Sequence, residues 1–540
     1  MKSAETDSSL SAAAAVSPWE GVRAESVHPQ YPPSLGAIPL STGQTLFRVW
    51  APKLSAVQLE LTGPEGPADH PRTVELQAEP RGYFSAVVDE AGPGSLYRFR
   101  TGEGSSFPDP ASRLQPHGVH EASAVVATGF DWTDSGWAGI PLRDYIIYEL
   151  HIGTFTPQGT FESAIAALDG LVELGITAVE LMPVAQCPGG RNWGYDGVYP
   201  YAAQNTWGGP EGLKRFVDAC HSRGLAVVLD VVYNHLGPEG NYLQQFGHYF
   251  THRYSTPWGA ALNFDDSYSD EVRRYFIENA LYWIRDCHID ALRLDAVHAI
   301  YDQSACPFLR ELGDAVRLQG ELCGRRACSI AESNLNDPAM ILPAERGGNG
   351  LDGQWVDDLH HALHVVLTGE REGYYADFHG FDDLVTAWER GFIYSGQYSE
   401  FRHRRHGEAA DGLPLESFVV CSQNHDQIGN RMLGERLTTL ADFEQLKLAA
   451  GTVLLSPYVP LLFMGEEYAE PAPFPFFISH TDADLVQAVR NGRQEEFSSF
   501  SWKGEPPDPQ SEDTFGQAKL DHDLKQDGRH AAMFALYREL

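Results

Sequence analysis

Eight apolar runs of strand length, separated by longer stretches of helix-like amphipathic spacing, constrain this chain more than any other feature. They fall at residues 145–150, 178–181, 226–232, 291–295, 329–332, 354–356, 418–421 and 460–464. Eight β-then-α units in one chain predict an α/β fold, a (β/α)8 TIM barrel over residues 140–540. One helix entry is explicit: Gly208-Gly-Pro-Glu211 puts a proline and an acid in the first turn, ahead of an apolar 213–219 stretch. Residues 236–270 are aromatic and glycine-containing, and read as an excursion between the third strand and its helix. A last helix, 531–540, runs to the end of the sequence.

Ahead of the barrel the rhythm differs. Residues 1–35, rich in Ala, Ser and Pro, read as a disordered tail. Strand-like segments follow at Leu46, Phe47, Val49 and Trp50, then at 57–61, 83–88 and 96–100, with turns at Gly63-Pro64 and Gly92-Pro-Gly94. Short strands at even spacing predict a small immunoglobulin-like β-sandwich over 36–128.

Composition narrows the function. The chain is 43% hydrophobic and 21% charged, enough to bury the cores of two or three domains. A net charge of −35 argues against nucleic acid as a partner, since a phosphate backbone calls for a basic stripe. Seven cysteines form no disulfide pattern, and Cys323 and Cys328 lack a second pair at zinc spacing. Free thiols in the cytoplasm are expected, with no metal and no cofactor. The apolar run at 12–16 is too short for a signal peptide, and no stretch reaches the ~18 apolar residues of a membrane span.

Active sites of such barrels lie at the C-terminal ends of the strands, so polar residues that close apolar runs are the candidates. Asp230 followed by Asn234-His235, Arg293-Leu-Asp295 followed by His298, Glu332, and Asn424-His-Asp426 sit at four such ends. Side chains alternate along a strand, so Arg293 and Asp295 share a face. Ile330 and Ala331 would desolvate Glu332 and raise its pKa. Three converging acids suggest glycoside hydrolysis, which needs one carboxylate nucleophile and one protonated acid. Arg293 would keep its neighbour ionised, neutral histidines would donate to sugar hydroxyls, and Tyr195 could stack on a sugar ring.

The segments Asp230-Val-Val-Tyr-Asn-His235, Leu292-Arg-Leu-Asp-Ala-Val-His298, Ile330-Ala-Glu-Ser333 and Gln423-Asn-His-Asp426 resemble, in order, the four signature regions of the α-amylase superfamily. The resemblance spans about 45–540. It implies Asp295 as nucleophile, Glu332 as acid/base and Asp426 as transition-state stabiliser. Tyr195, His235, Arg293 and His425 would line the −1 subsite, His298 would join them as a substrate contact, and Asp230 would be architectural. The N-terminal sandwich resembles the carbohydrate-binding-like module of branching and debranching enzymes.

Tyr148-Glu-Leu-His-Ile-Gly-Thr-Phe-Thr-Pro157, Asp357-Asp-Leu-His-His361, Leu367-Thr-Gly-Glu-Arg-Glu-Gly-Tyr-Tyr375 and His425-Asp-Gln-Ile-Gly-Asn-Arg431 resemble the superfamily members that cleave the α-1,4 bond next to a terminal trehalose. That implies maltooligosyl trehalose as substrate, a partner synthase that makes it, and Asp357, Asp358 and His361 as contacts near the trehalose end. A glycogen branching enzyme and a non-catalytic glucan-binding protein are the alternatives. The position of Asn234 binds calcium in some amylases, but no complete ligand set accompanies it here. Family members usually carry a C-terminal β-domain, which is expected to be absent or truncated in this sequence.

Overall fold

A computed structural model describes residues 34–40, 43–63, 71–102, 104–496 and 505–540. The expected tail, up to residue 33, and Pro64 of the 63–64 turn lie outside the described residues.

Residues 147–463 contribute eight parallel strands that close into a barrel. These are β1 (Ile147–Leu150), β2 (Ala178–Leu181), β3 (Ala226–Val231), β4 (Ala291–Leu294), β5 (Cys328–Ala331), β6 (Gly353–Trp355), β7 (Phe418–Cys421) and β8 (Val459–Phe463). Each strand is buried on both faces, which explains why the sequence shows continuous apolar runs and not alternation. Outside the strands pack α1 (Leu168–Leu174), α2 (Gly209–His221), α3 (Ser269–Asp286), α4 (Phe308–Leu322), α5 (Asp357–Thr368), α6 (Phe443–Leu454) and α7 (Gly528–Glu539). Pro210 and Glu211 do open α2.

The expected eight β-then-α units are seven. The link from β5 to β6 carries only the short 3-10 turns Pro338–Met340 and Ala344–Arg346. Its sequence explains this, because Asn336, Pro338, Pro343, Gly347, Gly348 and Gly350 break helical propagation.

Two antiparallel sheets precede the barrel. One orders strands Gly36–Pro39, Gln44–Trp50, Tyr83–Asp89 and Gln77–Glu79. The other orders Arg72–Glu75, Val57–Thr62, Leu96–Thr101 and Ser106–Phe107, with Ser123–Ala124 also paired to Leu96–Thr101. Among the described residues of this sandwich no aromatic ring is exposed; the large apolar side chain left open is Val87.

The sandwich supports the excursion that follows β3. That excursion is a helical turn, Leu243–Phe246, and a hairpin, Phe250–Thr256 with Gly259–Leu262. Trp50 meets Tyr249 edge-on at 5.1 Å, Phe107 meets Tyr242 at 5.2 Å, and Phe99 meets Phe246 at 6.3 Å. Residue 247 must be glycine because a Cβ there would lie 2.6 Å from the Trp50 ring.

A second clasp ties the linker between the domains to the barrel base. His221, at the end of α2, bonds through Nδ1 to Asp134 at 2.8 Å and through Nε2 to Asp290 at 2.9 Å. His288 reaches the same Asp134 oxygen at 2.7 Å, and Trp137 and Trp132 stack on the two imidazoles. Asp134, His221 and His288 lie close enough to suggest a metal trio. Their nitrogen–oxygen separations are nonetheless those of direct hydrogen bonds.

Candidate active site

Two-residue alternation builds the site. Ile147, Ala178, Val228, Ala291, Ile330 and Trp355 form part of an apolar plug inside the barrel. Two residues further along each strand, on the same inward face, come Glu149, Glu180, Asp230, Arg293, Glu332 and Asp357. Asp295 follows Arg293 by two more. At the end of β7, the Asn424 side chain accepts from the Gln427 N–H at 2.9 Å and starts a helical turn that presents His425 and Asp426.

Arg293 organises the acids. Fully buried, it lies 4.5 Å over the Trp355 ring. Its Nη1 donates to Asp295 Oδ1 at 2.7 Å and to Asp230 Oδ2 at 2.9 Å, and its Nη2 is 3.6 Å from Glu332 Oε2. Asp295 Oδ2 accepts from Asn234 Nδ2 at 2.6 Å. Burial would raise the pKa of Asp295, but Arg293, His235 and Asn234 together hold it below the ordinary carboxylate value. Glu332 goes the other way. Burial pushes it to about 8; Arg293 opposes the shift, while Asp295, Asp426 and Asp357 reinforce it. Glu332 Oε2 also accepts from the Ala296 N–H at 2.6 Å, and Ala296 sits in the left-handed region, φ 39°. A non-glycine residue there stores strain, here at the turn that aims an amide at the acid. One carboxylate held charged beside one held neutral is the division of labour that acid–nucleophile chemistry requires.

His425 departs from expectation. Its ring lies 5.2 Å from the Tyr195 ring, nearly parallel, with Nε2 2.7 Å from the Tyr195 oxygen and 3.4 Å from Asp426 Oδ2. Burial alone would lower its pKa, but Asp426 and Glu149 raise it to about 9. It is therefore an imidazolium, not the neutral donor the sequence suggests. Burial lowers the pKa of both His235 and His298. Both His235 nitrogens face protein oxygens, of Asn234 and of the Tyr195 carbonyl. His298 Nδ1 is buried without a partner among the described residues. Tyr195 donates its hydroxyl to Asp230 Oδ2 at 2.6 Å. Burial lifts Asp230 to about 7 despite Arg293.

The three residues expected at the trehalose end separate. Asp357 stands among the acids, lifted to about 7 by burial, Asp426 and Asp358. Asp358 accepts through Oδ2 from the N–H groups of Ile393 and Tyr394 and from Asn336 Nδ2, at 2.7, 3.1 and 2.8 Å. It fixes a loop. His361 is enclosed by Tyr374, Tyr375 and Phe378, and burial drives its pKa to about 3.

Three features escaped the sequence reading. Glu149 and Glu180 sit inside β1 and β2, not at their ends; the i+2 alternation from Ile147 and Ala178 is the signal that finds them. Both Glu180 oxygens are buried without a partner among the described residues, and burial with Glu149 and Asp230 nearby pushes its pKa far up. Trp258, half exposed on the excursion hairpin, stacks on His235 at 4.7 Å. No local pattern in the sequence marks it.

Family profiles match two parts of the chain: the α-amylase catalytic domain at residues 98–256, and carbohydrate-binding module 48, the isoamylase N-terminal domain, at 34–114. The first begins inside the sandwich and stops before β4. Among curated relatives, the malto-oligosyltrehalose trehalohydrolase of Saccharolobus solfataricus is 47% identical over 89% of this chain and 82% of its own length. That of Arthrobacter ramosus is 47% identical over 92% and 86%. A 1,4-alpha-glucan branching enzyme of Bacillus caldolyticus is 30% identical over 79% of this chain and 65% of its own. Among solved structures, a Salmonella typhimurium protein grouped with the α-amylases superposes with TM-score 0.87 at 41% identity, over 94% of this chain and 85% of that one. An Anoxybacillus pullulanase superposes at 0.68 with 19% identity, over 96% and 76%, and shares the fold.

Proposed function

The chain belongs to the malto-oligosyltrehalose trehalohydrolases, glycoside hydrolases of the α-amylase family, and on that premise we propose that it hydrolyses the α-1,4 bond next to the terminal trehalose of maltooligosyl trehalose. Asp295 attacks the anomeric carbon, and Glu332 protonates the departing oxygen. Glu332 then takes a proton from the water that resolves the glycosyl-enzyme, so the α configuration is retained. Asp426 holds sugar hydroxyls as charge develops. Asp357, free of the protein bonds that occupy Asp358, is our candidate for reading the 1,1-linked end. The observation that carries this reading is the opposed protonation of Asp295 and Glu332 around the shared Arg293.

The substrate implies a partner synthase that converts the reducing end of a glucan to a 1,1 link. Seven unpaired cysteines favour a cytoplasmic setting, and no described helix is long and apolar enough to cross a membrane. The test is competition between maltooligosyl trehalose and a plain maltooligosaccharide of equal length. Preferential trehalose release supports the reading. Equal or reversed preference leaves the hydrolase chemistry but removes the trehalose assignment, and new α-1,6 branches would identify a branching enzyme.

A further inference from the structure

Glu149 is buried inside the barrel, on a strand with none of the three proposed catalytic acids, and among the described residues its carboxylate bonds a single residue, His425. Its Oε2 accepts from the His425 main-chain N–H at 3.1 Å, and its Oε1 pairs with His425 Nδ1. The far side of the ring fixes the proton count. Tyr195 has a single hydroxyl hydrogen, and above pH about 7, where Asp230 is an ionised carboxylate bonded twice by Arg293, Asp230 takes it. At the 2.7 Å contact the Tyr195 oxygen must then accept, so Nε2 carries a hydrogen. Opposite a carboxylate, Nδ1 carries one too. Both ring nitrogens are donors, and the ring is charged.

We propose that Glu149 is a positioning residue of this hydrolase: gripping His425 at two points, it fixes the ring as an imidazolium whose Nε2–H is turned toward Tyr195 and Asp426. The proposal rests on the hydrolase reading of the site and deepens it. The reason for such a device is charge balance. The groups that act on His425 are Glu149 from within β1 and His151 just after it, Glu180 from β2, Tyr195 from the loop after β2, Asp230 from β3, Arg293 from β4 and its own neighbour Asp426. His151 is neutral, lowered by burial to about 4, and so brings no charge. Arg293 and His425 are the cations in that group, set against Glu149, Asp230 and Asp426; Glu180, pushed far up by burial, brings no charge. Arg293 is committed to Asp230 and Asp295, which leaves the flank beside Asp426 to His425.

The isosteric E149Q keeps an oxygen for the main-chain N–H and deletes the charge. We expect its kcat/KM to stay within a few-fold of wild type near pH 5.5, where an ordinary histidine is still protonated. Its alkaline limb should move down by at least about one pH unit, a tenfold or greater extra loss on the alkaline side. A residue needed only for folding would scale the profile evenly, so an unchanged profile shape overturns the proposal. A second measurement needs no variant enzyme to be active. In 15N-histidine-labelled wild type, the imidazole missing from the H425Q spectrum should carry hydrogens on both nitrogens at pH 7.5. A neutral ring there overturns the proposal whether or not E149Q folds. The spectrum does not involve substrate, so an imidazolium in a protein that releases no trehalose would reject the substrate reading alone.

Discussion

The D295N substitution tests the division of charge between the two acids. The change is isosteric, and the amide oxygen can still accept from Arg293, so the fold should persist. Loss of the nucleophile should lower kcat by about 10⁴–10⁶, the scale on which single catalytic groups act. A second consequence follows from the field. With carboxyls ~5.5 Å apart, as in retaining glycosidases, and an effective dielectric of about 20, deleting the Asp295 charge removes about 3 kcal/mol of repulsion from ionised Glu332. That equals about two pH units. Glu332 should therefore fall from about 8 in the native protein to roughly 6 in D295N. A general acid works below its pKa, so the alkaline limb moves down with it. Azide can replace the missing nucleophile, giving a β-glycosyl azide by a single displacement whose pH profile reports the acid. Near-normal activity in folded D295N would remove Asp295 from its role. A rescued reaction with the limb still near pH 8 would refute the field argument.

E332Q should slow hydrolysis of maltooligosyl trehalose by about 10²–10⁴ and remove the fall in rate near pH 8, leaving the one set by His425 near 9, while an α-glycosyl fluoride, which needs little protonation, suffers less; equal losses on both would argue against an acid role. Proton NMR of fresh product should show the new reducing end first as the α-anomer, and a β-anomer first would exclude double displacement. At the barrel base, Asp134 and Asp290 outweigh burial and raise the pKa of His221. Its folded value exceeds its unfolded one, so its contribution to stability is full below pH 6.5 and lost as pH rises through the raised value. D290N should accordingly lower Tm by more at pH 6 than at pH 9, and an equal loss at both would count against the charged clasp. G247A should cost about 1–3 kcal/mol in denaturant unfolding, because the new Cβ overlaps the Trp50 ring, and a neutral result would show that the sandwich does not pin the excursion.

The barrel strands are legible in the sequence because burial on both faces makes each a continuous apolar run, and the four polar strand ends stand out against them. The sandwich is less so. Its missed strands, Gly36–Pro39, Arg72–Glu75, Gln77–Glu79, Ser106–Phe107 and Ser123–Ala124, hold two to four residues each. The missing fifth helix was readable from its prolines and glycines, had eightfold regularity not been extended over them.

The chemistry was legible by position but not by protonation, and the reason is geometric. Residue type and alternation place Asp295, Glu332 and Asp426 at the barrel mouth, and the apolar neighbours of Glu332 foretell its raised pKa, since that shift begins with local burial. His425 shows where such reasoning stops. Its local sequence, Asn424-His-Asp426, offers one carboxylate beside a buried ring, which leaves the balance between burial and charge undecided. The balance is tipped by Glu149, 276 residues earlier in the chain, which the barrel closure brings to the same ring. The partners of Asp358 are hidden for the same reason: the amides that bond its Oδ2 belong to residues 393 and 394, more than thirty positions away. A motif therefore names the groups a site contains, whereas the partners that fix each proton come from other strands and become visible only once the barrel has closed.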